Sequence, residues 1–64
     1  MQEIEQLRSQ LESISEQLND VAMRILSEAV HNGQSQRPEA EKKVSQARRA
    51  VEKALHHLDG INTD

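Results

Sequence analysis

Apolar residues recur at alternating three- and four-residue steps through both halves of this chain. The first run is Ile4, Leu7, Leu11, Ile14, Leu18, Val21 and Ile25; the second is Ala40, Val44, Ala47, Val51, Ala54, Leu58 and Ile61. Steps that average about 3.5 residues keep one seam of a helix turned toward a neighbouring helix. Between the runs, His31-Asn32-Gly33-Gln34-Ser35-Gln36-Arg37-Pro38 carries no such rhythm. The pattern predicts an all-α chain: an antiparallel two-helix hairpin of coiled-coil type, one domain covering residues 1–64.

Local signals place the boundaries. Helix 1 is expected over about 2–32, with Glu3 and Glu5 at its positive N-terminal end and Gly33 free to take the left-handed conformation past its C-terminus. The turn is expected over 33–37. Helix 2 is expected over about 38–59, with Pro38 in the first turn, where a missing N–H costs nothing, and Gly60 as its stop. Residues 60–64 form a short tail in which Ile61 folds back. Helix 1 is then longer by about nine residues, or ~13 Å at 1.5 Å each, and Ile4 and Leu7 are expected to overhang.

Sixty-four residues without Cys, Phe, Tyr or Trp have no disulfide and only aliphatic side chains for a core. A chain this small is marginal alone, so self-association is the simplest further source of stability. The expected product is a homodimeric four-helix bundle. The hairpin seam is assigned to Leu11, Ile14, Leu18, Val21 and Ile25 against Val44, Ala47, Val51, Ala54 and Leu58. The alanines at seven-residue intervals are read as allowing close helix approach. From Val21 to Val30 the apolar stripe is too wide for one neighbour. Met23, Leu26 and Val30, with the overhanging Ile4 and Leu7, are therefore the expected oligomer interface.

No constellation points to catalysis. Ser9, Ser13 and Ser15 read as polar helix surface, and there is no glycine-rich phosphate loop. His31 ends one helix and His56 and His57 end the other; adjacent helical residues diverge by about 100°, so the pair does not readily share a metal. No enzyme activity, metal or cofactor is expected. Glu28, the one charged residue on the helix 1 seam, is expected near Lys42 and Lys43 as a register-setting pair.

Charge divides unevenly. Residues 1–32 hold six acids and two bases, whereas 37–59 hold six bases and four acids; with Asp64 the net charge is −3. Lys42, Arg49 and Lys53 form a basic stripe that suits phosphate contact, the basis of an alternative reading as a nucleic-acid-associated regulator. The net negative charge and the absence of base-stacking aromatics weigh against it. The plan of a roughly sixty-residue helical hairpin resembles plasmid copy-number regulators of the Rop type, which dimerise into a four-helix bundle. It also resembles a two-helix hairpin protein of the ribosome, which is strongly basic where this chain is acidic. The short apolar runs and acidic N-terminus predict neither a membrane span nor a secretory signal. The reading is a cytoplasmic interaction or adaptor module whose partner is a second copy of itself, with another helical protein as the alternative partner.

Overall fold

A computed structural model describes residues 2–61; residues 1 and 62–64 lie outside the described residues, so the last three residues of the tail expected over 60–64 are not placed. Two α-helices, α1 (Gln2–His31) and α2 (Glu39–Ile61), pack against each other as a hairpin. The rod measures 51 × 14 × 12 Å, with a radius of gyration of 15.1 Å. A compact chain of this length would have about 11 Å. No helix among the described residues is long and apolar enough to cross a membrane.

The reversal between the helices is built from backbone hydrogen bonds. The Gln34 N–H donates to the Ala29 carbonyl at 2.9 Å and the Gly33 N–H to the Val30 carbonyl at 3.0 Å. This pair of bonds, with Gly33 at φ 76°, is a Schellman cap. It satisfies carbonyls that the end of a helix otherwise leaves open. Pro38 stands one place earlier than its sequence context suggested. Its carbonyl accepts from the Lys42 N–H at 3.2 Å, which makes Pro38 the cap and Glu39 the first helical residue.

At the other end α2 does not stop at Gly60 but runs through it to Ile61. A glycine in the last turn weakens a helix without forbidding it. The expected overhang of α1 is also redistributed. Arg8 of α1 pairs with Asp59 of α2, so only the first turn of α1 reaches past the end of α2. The rest of the difference in helix length is taken up at the turn, where residues 32–38 fold back beside the last turn of α1. Ile4, in the first turn of α1, is half-buried.

The core is thin. Ala22 and Ala29, 5% and 6% exposed, are the buried apolar residues among those described, and no large side chain is fully enclosed. Ser15 is buried one heptad before Ala22. The contact line of α1 is thus Ile4, Arg8, Leu11, Ser15, Leu18, Ala22, Ile25 and Ala29, all buried or half-buried. It shares every second position with the run of large residues read from the sequence. Small residues at the others let the helix axes come close.

The two glycines have opposite roles and substitutions should separate them. An added Cβ meets nothing within 4 Å at either position. Gly33→Ala should lower stability by about 1 kcal/mol or more, because the left-handed conformation is strained for alanine. Gly60→Ala should raise it by up to ~1 kcal/mol through helix propensity. Paired thermal melts at equal protein concentration check the two signs.

Candidate interaction surface

The positions left out of the contact line define a face. Leu7, Ile14 and Val21 recur at seven-residue intervals on α1, and Leu7 and Ile14 are 50% and 44% exposed. On α2 the matching set is Ala40, Ala47, Ala54 and Ile61; of these only Ala54 is half-buried and the rest are exposed. Between the two stripes lie Leu11, Leu18 and Ile25 of α1 and Val44, Val51 and Leu58 of α2, each half-buried. An antiparallel pair turns both stripes to the same side of the hairpin. The result is one continuous apolar face, four rows wide, along the rod.

The opposite side carries the ion pairs, around a half-buried Leu26. Arg48 donates to Glu52 at 2.9 Å, and Arg8 bridges Asp59 and, at 3.6 Å, Glu12. The Arg8 guanidinium holds the Asp59 carboxyl below its ordinary range. Exposed ion pairs add little stability, but this one joins residues 51 positions apart and so marks how the two helices are aligned. Two heptads inward from it on each helix lie Ala22 and Ser45, both buried.

Glu41 closes the turn end. It is 3% exposed, yet it is a carboxylate. Arg37 donates to it through Nε and, at 3.0 Å, through Nη2, while the Ser45 hydroxyl donates at 2.7 Å. Its place in the first turn of α2 adds the positive end of the helix dipole. The Arg37 and Ser45 hydrogen bonds, outweighing the effect of burial, lower its pKa from an ordinary 4.5 to about 2. The spacing of Arg37, Glu41 and Ser45 at four-residue steps was visible in the sequence; that it is buried was not.

The remaining sequence-derived positions fall elsewhere. Met23 and Val30 are 60% and 73% exposed and point away from both α2 and the apolar face, while Leu26 is half-buried on the polar side. Of the residues assigned to the hairpin seam, Ile14 and Ala47 are exposed and the others half-buried. Glu28 is exposed, and no ion pair joins it to Lys42 or Lys43 among the described residues. Lys42, Arg49 and Lys53 are exposed on the side of α2 turned from α1. The His56 and His57 rings stand 6.4 Å apart at 58°, diverging as neighbours on a helix do. A concavity of about 560 Å³, open and polar, lies at the turn around Arg37 and Lys42. No protein-family model matches the chain, and neither curated proteins nor solved structures include a match.

The clasp at Glu41 gives stability a defined pH response. A carboxylate whose folded pKa is depressed stabilises the fold fully above its unfolded value, and that contribution disappears as pH falls through the folded one. Stability should therefore decline from about pH 4.5 toward about pH 2, with Asp59 acting in the same direction. Glu41→Gln should be less stable than wild type at neutral pH and show a shallower acid decline. Thermal melts between pH 7 and pH 2 would measure both.

Proposed function

We propose that this chain is a non-enzymatic, cytoplasmic helical module that works by pairing with itself, two hairpins closing into a four-helix bundle. One observation carries the reading. The chain exposes 5080 Å², about 900 Å² more than the roughly 4200 Å² expected of a monomer of 7.3 kDa. A standard stable interface removes about 800 Å² per partner. The excess is thus of the size that one partner covers, and the apolar face is the broadest apolar surface on which a partner could lie. Covering it would complete the burial of Leu11, Leu18, Ile25, Val44, Val51 and Leu58, each left half-wet by the hairpin. Fully burying such a side chain contributes about 1.5–3 kcal/mol.

Of the interface expected from the sequence, Ile4, Leu7, Met23, Leu26 and Val30, this reading keeps Leu7 and replaces the others with Ile14, Val21 and the α2 alanine stripe. It leaves Lys42, Arg49 and Lys53 in solvent, where a basic stripe beside an acidic helix speeds docking and keeps the chain soluble.

Sedimentation equilibrium tests it directly. The wild type should be a dimer whose melting temperature rises with concentration. Ile14→Glu should weaken association by roughly a hundredfold or more, because an unpaired charge would be buried. Val30→Glu and Met23→Glu should leave the dimer intact. A wild type that sediments as a monomer at every concentration, with an unchanged melt, would overturn the proposal. A reversed ranking of the three variants would return the interface to the Met23–Val30 flank.

A further inference from the structure

The apolar face tapers along the rod, and the taper selects how a second copy lies on it. The Arg8–Asp59 pair sets the register of the two helices. Counting from it, to within a residue or two, Leu7 lies beside Ile61 and Leu11 beside Leu58 at the open end. Ile14 beside Ala54 and Leu18 beside Val51 follow in the middle. Near the turn come Val21 beside Ala47 and Ile25 beside Val44. The open end is therefore lined by large aliphatic side chains, and the turn end by smaller ones.

We infer that the second copy docks antiparallel to the first, with its turn at the opposite end and the two-fold axis passing between Ile14 and Leu18. The inference rests on the self-pairing reading above and adds its geometry. With both turns at one end, bulky layers would stack on bulky layers and slim on slim. That crowds the open end and leaves voids at the turn end, and both defects destabilise a core. With the turns opposed, the layer of Leu11 and Leu58 meets that of Val21 and Ala47, and the layer of Leu7 and Ile61 meets that of Ile25 and Val44. Every layer then holds a similar volume, as close packing requires.

The absence of Cys allows single thiols to be introduced for the test. Nitroxide labels on Ser35→Cys, an exposed turn position, would be measured between copies by pulsed dipolar spectroscopy. The opposed arrangement predicts about 45–50 Å, close to the length of the thirty-residue α1 at 1.5 Å per residue. Turns together predicts a separation within roughly 25 Å, two to three helix spacings. In a second variant, Gln17→Cys should oxidise to a disulfide-linked dimer that keeps the wild-type helix content, because the proposed axis brings the two α1 helices side by side there. A short Ser35 distance in a chain that sediments as a dimer would overturn the orientation while leaving self-pairing standing. So would a dimer in which Gln17→Cys fails to cross-link. A monomer by sedimentation, with no dipolar coupling, would overturn both.

Discussion

The close approach of α1 to α2 along Ser15, Ala22 and Ala29 constrains everything else in this molecule. Small side chains on the contact line leave room for a neighbouring helix but none for an enclosed large residue. Most large aliphatics consequently lie on one flank of the contact, half in and half out of water, while Leu26 and Leu55 are half-buried outside that flank and Met23 and Val30 face solvent. A hairpin of this kind has a seam but no interior, which its 14 × 12 Å cross-section states in another way. Its hydrophobic stabilisation scales with apolar area removed from water, so an isolated hairpin realises only part of what its sequence offers.

Polar groups determine the register of that seam. At one end the Schellman cap at Gly33 reverses the chain, and Glu41, clasped by Arg37 and Ser45, anchors the first turn of α2. At the other end Arg8 reaches across to Asp59. A slide by one helical turn would separate Arg8 from Asp59 and carry the buried Ala22 away from Ser45. Such groups contribute modestly to stability, but they distinguish one alignment from the alternatives that a uniform aliphatic seam would permit.

The apolar face and the polar side then follow from one geometric fact. In an antiparallel pair, stripes at matching offsets from the contact line emerge on the same side. Leu7, Ile14 and Val21 therefore join the stripe of Ala40, Ala47, Ala54 and Ile61, while the ion pairs gather on the other side. The proposed self-pairing and its antiparallel orientation are both readings of that face. The first comes from how much surface it leaves open, the second from how side-chain volume changes along it.

The element count, the hairpin plan and the boundaries near Gly33 were legible in the order of residues, because periodicity, glycine conformation and proline chemistry act within a few residues. That order also marked the residues of the apolar face, since Ile14, Ala47 and their heptad mates all stand in the original rhythm. Which of those residues touch the other helix was decided by tertiary structure. Large side chains dominate a hydrophobic pattern, whereas the contact between two close helices is made by small ones, so the seam lies one position over, at Ser15 and Ala22 rather than Ile14 and Val21. Gly60 inside α2, the burial of Glu41 and the Arg8–Asp59 pair were equally beyond local reading. Glu41 is buried only once the turn folds over it, and Arg8 and Asp59, 51 residues apart, meet only when the chain folds back.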